Sequence, residues 1–563
     1  MPRYTTYIEK MKAKLLTLAA LLIGLISTAQ NAPVKLNIIP EPVKTTIQGD
    51  SCYMLPRWAV IHTETDLQFP AEYLADYADH YLGIQLQIVT PQPAKRRSKT
   101  VTTTEPQAHN IRLTNLNNGE VSGGYRLKVS LDKGVEIEGN DAAGVFYGVQ
   151  TLIQLLPTQA GILPRLPEVE IEDYPRFEYR GLLLDVVRHF FPVDYIKRYI
   201  DFMALHKLNY FHWHLTDDQG WRVEMKCRPE LTAIGAYRNG EIEGLFPGKY
   251  HYLPYGNYYT HEQIREVVAY AAERHITVIP EIDIPGHCMA VLAVYPHFST
   301  APDKVEGCAP TWGIYNRRNN VLAPSDEVFK FLTDVFSELC DLFPSPYIHL
   351  GGDECAKKWW QESEATQQYM KANGIKDEKA LQSHIVHYVQ HVIESKGKKA
   401  IGWDEVLEGG ISKDCIIMNW RRPNFGANAL NAGNRTIFAC SQWSYFNVKE
   451  SRAQHEIGHR GPMSLEKVYS FDPVTDTLSV EQQQLVMGVQ GCLWTEYVQN
   501  TWKAEFCLFP RLSALAENAW SQREHKSWDN FSQKIVRQYD RYELWGVRYN
   551  DAFLRQHDIV RAR

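Results

Sequence analysis

The feature that most constrains this chain is an alternation that starts after Asp173-Tyr174-Pro175-Arg176 and runs eight times: an apolar run ending in polar or aromatic residues, then an amphipathic stretch. The apolar runs are Gly181 to Val186, Tyr210 to Leu215, Thr277 to Ile282, Tyr347 to Leu350, Ala400 to Trp403, Ile416 to Trp420, Thr436 to Cys440 and Val486 to Leu493. Apolar strands separated by helices make parallel sheets, and eight such units predict a closed (β/α)8 TIM barrel. Helix starts fall between them: Thr260 with Gln263 as a capping box, Ser325 before Glu327 to Leu342, and Asp377 before Ala380 to Ser395. The expected class is α/β, with the barrel over residues 173–563 and a small α+β domain over 30–172. The smaller domain shows short strands, an exposed polar loop from Pro93 to Pro106 and a helix from Gly144 to Leu156 that Pro157 stops.

The first 29 residues read as an export signal. Lys10, Lys12 and Lys14 precede the apolar run Leu15 to Ile26 and the small polar residues Ser27-Thr28-Ala29-Gln30. The run is short for a membrane span and no later stretch is longer, so no retained anchor is expected, and the predicted location is periplasmic or extracellular. A net charge of -6 argues against a dedicated nucleic-acid binder. The 10 cysteines lack CxxC spacing and several sit in apolar runs, as Cys440 and Cys492 do, so they read as small core residues.

In barrels of this kind the chemistry sits at the C-terminal strand ends. There, His349-Leu350-Gly351-Gly352-Asp353-Glu354 places two adjacent carboxylates after a strand and two glycines, whose freedom lets both side chains turn into one cavity. The plain alternative is a turn followed by an exposed acidic helix start. The other strand ends supply Arg188 and His189, Asp217 and Asp218, Asp283 and His287, Trp403 and Asp404, Trp420, Tyr445, and Trp494 with Glu496. Indoles around carboxylates and an arginine suit one sugar ring, its faces stacked and its hydroxyls gripped.

These motifs resemble glycoside hydrolase family 20, the β-N-acetylhexosaminidases. The likeness runs from Asn37-Ile38-Ile39-Pro40 to the end and rests on Arg180 to Asp185 with Arg188-His189, His212 to Asp218, Pro280 to His287, His349 to Glu354, Gly402 to Glu405 and Gly491 to Glu496. The resemblance implies an exo-acting enzyme that releases terminal N-acetylglucosamine or N-acetylgalactosamine from glycans, with no cofactor and no metal. It implies retention through the substrate's own 2-acetamido oxygen, with Glu354 as acid and base, Asp353 orienting the acetamido N–H and Tyr445 donating to its oxygen. It assigns Trp403, Trp420 and Trp494 to the sugar and acetamido walls, Arg188, Asn447 and Glu496 to sugar contacts, and Asp217, Asp283 and His287 to support of the carboxylates. The family commonly has Tyr-x-Asp or Tyr-x-Asn beside a Trp after the seventh strand; here Trp443-Ser444-Tyr445-Phe446-Asn447 carries one more residue between Trp and Tyr.

Three other readings compete. His212-x-His214 at a strand end is also how metal-dependent hydrolases begin a site, but later strand ends offer Trp and Tyr as much as ligands, and strand parity sets Asp217 on the opposite face if the strand runs that far. His349 reads as a hydrogen-bonded core histidine. A non-catalytic glycan-binding barrel would keep the aromatics without the acid pair, and an enzyme releasing disaccharides would need a longer pocket shaped by loops such as Tyr237 to Tyr259. Oligomeric state and the choice between the two hexosamines have no signature in the sequence.

Overall fold

The structure is a computed structural model that describes residues 36–90, 110–245, 248–310, 317–453, 456, 458–459 and 461–561. The export segment and the loop from Pro93 to Pro106 lie outside these residues. Seven strands form the first sheet: β1 (Lys44–Met54), β2 (Val60–His62), β3 (Gln87–Val89), β4 (Asn110–Asn115), β5 (Tyr125–Ser130), β6 (Gly134–Gly139) and β7 (Arg165–Asp173), in the order β1-β7-β5-β6-β4-β2-β3. Alternation decides the inner face: Ile111, Leu113, Tyr125, Leu127 and Val129 are buried, while Arg112 and Arg126 between them are exposed. Helix α1 (Gln68–Tyr77) packs against helix α2 (Ala142–Leu155), which lies on β5 and β6. Asp141 caps α2 by accepting the Gly144 N–H at 2.7 Å, and Gly148 permits close approach, since a Cβ there would lie 2.5 Å from Ile137 Cγ2.

The barrel strands are β8 (Tyr179–Asp185), β9 (Tyr210–His214), β10 (Thr277–Glu281), β11 (Tyr347–His349), β12 (Lys399–Trp403), β13 (Ile416–Asn419), β14 (Thr436–Phe438) and β15 (Val486–Leu493). They pair in parallel in sequence order, and β15 closes onto β8. All eight expected strands are present. Helices α3 (Val193–Leu205), α4 (His261–Glu273), α5 (Asp326–Leu342) and α6 (Glu378–Ser395) connect strands, with the expected capping box at Thr260 and Gln263 and with Ser325 and Asp377 as caps of α5 and α6. The register sets Asp185 beside His214, His214 beside Glu281 and Glu281 beside His349, so four successive strands end in one polar layer.

Sheet and barrel share a buried polar joint. Lys207, between α3 and β9, is fully buried and donates to Asp173 Oδ2 at 2.9 Å and to Tyr125 Oη at 2.8 Å. Trp520, at the end of α7 (Arg511–Trp520), donates its indole N–H to Asp173 at 3.0 Å. All 10 cysteines are free thiols and seven are buried, as their apolar settings predict. Among the described residues no helix is long and apolar enough to cross a membrane.

Candidate active site

After β11 the chain turns on Gly351 (φ +74°) and Gly352 (φ +100°). Space as well as conformation demands glycine: a Cβ on Gly351 would meet Asp283 Oδ1 at 1.8 Å and Asp283 Cα at 2.6 Å, and one on Gly352 would meet Val406 Cγ1 at 2.4 Å. Gly352 N–H donates to Asp283 Oδ1 at 3.0 Å, and Gln382 Nε2 donates to the Gly352 carbonyl at 2.7 Å. Asp353 and Glu354 emerge from this pinned turn, Glu354 itself at φ +45°, a conformation that non-glycine residues hold only where the surroundings impose it. His287, from the loop after β10, places Nε2 3.7 Å from Asp353 Oδ2 and 3.6 Å from Glu354 Oε2. Both carboxylates therefore converge on one imidazole.

The far side of that imidazole is acidic. His287 Nδ1 lies 3.0 Å from Asp217 Oδ1 and 2.9 Å from Asp218 Oδ2. Burial works against a charged ring, but these two carboxylates hold it well above the usual histidine range. For Asp217, burial pushes up while Arg188 and His287 pull harder and keep it well below the carboxylate range. Arg188 Nη2 sits 2.7 Å from Asp217 Oδ2, Nη1 donates to Asp185 Oδ2 at 3.1 Å, and Nε donates to Gln219 Oε1 at 2.9 Å. Burial and the charge of Asp353 push Asp283 well up, and Asp353 itself is raised by burial against the pull of His287.

The strand does not run as far as Asp217. β9 stops at His214, and Thr216–Asp217 pairs with Gly220–Trp221 in a tight hairpin that brings Asp217 Oδ2 back to 3.1 Å from His214 Nε2. Beneath, Glu281 gathers three histidines: His212 Nε2 at 3.0 Å, His349 Nδ1 at 3.1 Å, and His214 Nδ1 in a short contact. Burial, helped by His349 and His214 and opposed by Glu281, drives His212 down to about 4, whereas at His214 Glu281 overrides burial and lifts the ring to about 10. His349 is the hydrogen-bonding core histidine expected of it. Three of these groups, His212–Glu281–His349, Asp217–Asp218–His287 and Asp283–His287–Asp353, are tight enough to hold a cation. Each already pairs carboxylate with imidazole.

Above this floor opens a cavity of about 580 Å³ lined by Arg188, Asp217, His287, Asp353, Glu354, Trp420, Tyr445, Asn447, His459, Trp494 and Glu496 among others. Trp420 and Tyr445 face each other at 6.3 Å and 18°, and Trp494 closes the angle 6.0 Å from Tyr445. Trp403 is not on this wall. It is 1% exposed, its indole N–H donates to Glu281 Oε1 at 2.7 Å, and it underlies Trp494 at 6.0 Å, so it shapes the floor from below. The additional residue before Tyr445 is absorbed by one helical turn, Ser441–Ser444, after which Tyr445 bridges to Cys492 of β15 and Phe446 N–H donates to the Cys492 carbonyl at 2.8 Å. Glu496 is pushed up by burial, but His459, 3.5 Å away, and Arg188 bring it down to about 2. Asp353 Oδ1, Asn447 Oδ1, Glu496 Oε2 and Trp494 Nε1 are buried with no hydrogen-bond partner among the described residues. Buried polar atoms are almost always satisfied, so four orphans on one cavity mark where a polar ligand completes the set.

The cavity brings together the site residues the sequence assigned apart from Asp283 and Trp403, which lie behind its wall, while His189 and Asp404, also at strand ends, bond elsewhere. Reading the sequence missed Glu281, Glu405 and His459. Glu281 sits in the Pro280 to His287 motif as an acid inside an apolar strand; Glu405 sits in the Gly402 to Glu405 motif; His459 carries no signal at all.

Residues 177–523 match the family described as "Glycosyl hydrolase family 20, catalytic domain", and residues 35–174 match "Glycosyl hydrolase family 20, domain 2". The chain belongs to glycosyl hydrolase family 20. Similar relatives include the beta-hexosaminidase of Porphyromonas gingivalis, 36% identical over 92% of this chain and 64% of that protein, and the beta-hexosaminidase of Vibrio furnissii, 38% identical over 70% and 64%. The chain accordingly spans 64% of the length of each of these relatives. Among solved family-20 structures, the exo beta-N-acetylglucosaminidase from Vibrio harveyi in complex with N-acetylglucosamine aligns with a TM-score of 0.79 at 30% identity, over 92% of this chain and 79% of that one. The beta-N-acetylhexosaminidase from Streptomyces coelicolor A3(2) aligns at 0.77 and 29%, over 92% and 99%.

Proposed function

We propose that this family-20 chain is an exo-acting β-N-acetylhexosaminidase that removes terminal β-linked N-acetylglucosamine or N-acetylgalactosamine from glycans, with the substrate's acetamido oxygen as nucleophile. The observation that carries this is the convergence of Asp353 and Glu354 on the single imidazole of His287, 3.7 and 3.6 Å away. Adjacent in sequence and facing one imidazole, the two carboxylates are read here as serving the proton and the acetamide, in place of the acid and nucleophile of ordinary retaining hydrolysis. The other acids on the wall are engaged, Asp217 by Arg188 and Glu496 by His459.

In this reading Glu354 gives its proton to the glycosidic oxygen as the bond to the anomeric carbon breaks. The acetamido oxygen forms the new bond to that carbon, and Asp353 Oδ1, buried and unpartnered, accepts the acetamido N–H as positive charge develops. Tyr445 donates to the acetamido oxygen. Water then opens the oxazolinium ring while Glu354 takes its proton back. Trp420 and Trp494 enclose the ring and the acetamido methyl; Arg188, Asn447 and Glu496 receive the hydroxyls. Kinetics on a matched pair of aryl glycosides tests the proposal: the N-acetyl-β-glucosaminide is cleaved with retained configuration and the plain β-glucoside is inert. Comparable cleavage of both, or a trapped ester on a carboxylate, refutes it. The signal-like N-terminus supports an exported enzyme, which N-terminal sequencing of the mature protein checks.

A further inference from the structure

One acid beside the cavity has no part in the steps above. Glu405 follows Asp404 just past β12, with its side chain 13% exposed, and the two acids reach together across to the next strand. Asp404 Oδ2 accepts the Trp420 and Arg421 backbone N–H groups, each at 3.1 Å, and Asn419 Nδ2 at 2.5 Å, so it holds the main chain at the end of β13. Glu405 Oε2 accepts the Trp420 indole N–H at 2.8 Å, with Arg421 Nε 3.9 Å from the same oxygen. Backbone and ring of Trp420 are thus fixed by adjacent carboxylates, and the ring is held 6.3 Å from Tyr445 at 18°. An indole tethered only at Cα can rock about its side-chain torsions; a hydrogen bond from its N–H to a largely buried acid restricts that motion.

We infer that Glu405 is a positioning residue that sets acyl-group specificity: by locking the Trp420 indole it fixes the wall of the slot that takes the 2-acylamido methyl and keeps larger acyl groups out. This rests on the function proposed above. The test measures kcat and KM on aryl β-glucosaminides carrying N-acetyl, N-propionyl and N-butanoyl groups, for the wild type, Glu405→Gln, Glu405→Leu, Trp420→Phe and the Leu/Phe double variant. Glutamine keeps an oxygen acceptor for the indole, so Glu405→Gln retains the wild-type preference for acetyl over butanoyl. Glu405→Leu lowers that preference by roughly tenfold, raising KM for the acetyl substrate more than it lowers kcat. Glu405→Leu adds little on top of Trp420→Phe, because both remove the same contact. A purely structural role would reduce all three substrates alike. If circular dichroism shows Glu405→Leu unfolded, Trp420→Phe, which removes the N–H and leaves the acid, carries the same expectation. Equal losses across the acyl series in these variants, or a Glu405→Gln as altered as Glu405→Leu, overturn the inference. A wild type that fails on the N-acetyl glycoside overturns the proposed function and this inference with it.

Discussion

Gly351→Ala tests whether Asp353 and Glu354 owe their position to the turn that carries them. The added methyl would lie 1.8 Å from Asp283 Oδ1 and 2.6 Å from Asp283 Cα, where ordinary contact begins at 3.4 Å. A rotamer change at Asp283 relieves the first overlap but not the second, so main chain must give way on one side. The left-handed φ of +74° adds strain of about 1–2 kcal/mol for alanine, too little to unfold a domain of this size. The damage falls on geometry instead: a displacement on the order of 1 Å in a positioned catalytic group costs about 100-fold in rate. The expected variant melts a few degrees lower and loses about two orders of magnitude in kcat/KM on an N-acetyl-β-glucosaminide. Gly352→Ala provides the contrast, because its overlap is with Val406 Cγ1 at 2.4 Å and the next atoms are at 3.9 Å. Adding Val406→Ala clears that overlap and restores part of the activity. A Gly351→Ala enzyme within about threefold of wild-type kcat/KM would refute the reasoning.

Glu354→Gln should fold normally and lose about 100-fold or more on substrates with poor leaving groups, while glycosides of acidic phenols suffer much less; a uniform loss along the leaving-group series contradicts its role as acid. Asp353→Asn, whose partner is the acetamide, should be damaging with every leaving group, and recovery with the better ones would count against that pairing. Glu517 is pushed up to about 7 by burial and by Glu41, against Lys534. Its raised value means the folded chain holds that proton more tightly than the unfolded chain, so the stabilisation is full below its ordinary 4.5 and is lost as pH rises through about 7. Glu517→Gln should flatten that decline in melting temperature, and an unchanged pH profile would show that the group is not the cause. Prolonged dialysis against a strong chelator should leave activity intact, and a loss that zinc alone restores would reassign the clusters around Glu281 and Asp217.

The barrel was readable because its strands are short, largely apolar runs and several connecting helices announce their starts, as Thr260 with Gln263 does. Residues projecting from strand ends were readable too, since Asp353, Glu354, Arg188 and Trp494 follow apolar runs directly. What escaped were contacts made by register and by turns. Glu281 ends β10 level with His214 and His349, and no local pattern in its own segment reveals those partners. Asp217 would lie opposite the histidines only if β9 ran on that far; the strand ends at His214 and a hairpin turns Asp217 back. Trp403 has the same sequence neighbourhood as the indoles on the wall, yet its hydrogen bond to Glu281 draws it under the floor. His459 arrives from a segment far from any strand end, so only the folded chain brings it to Glu496.

The ammonium of Lys207, sealed between barrel and sheet, also bears on modularity. A barrel excised after residue 174 would strip that ammonium of Asp173 and Tyr125 and open its joint to water. Anyone grafting this barrel onto other partners must bring the preceding sheet along, or supply another acid to meet Lys207 across the new joint.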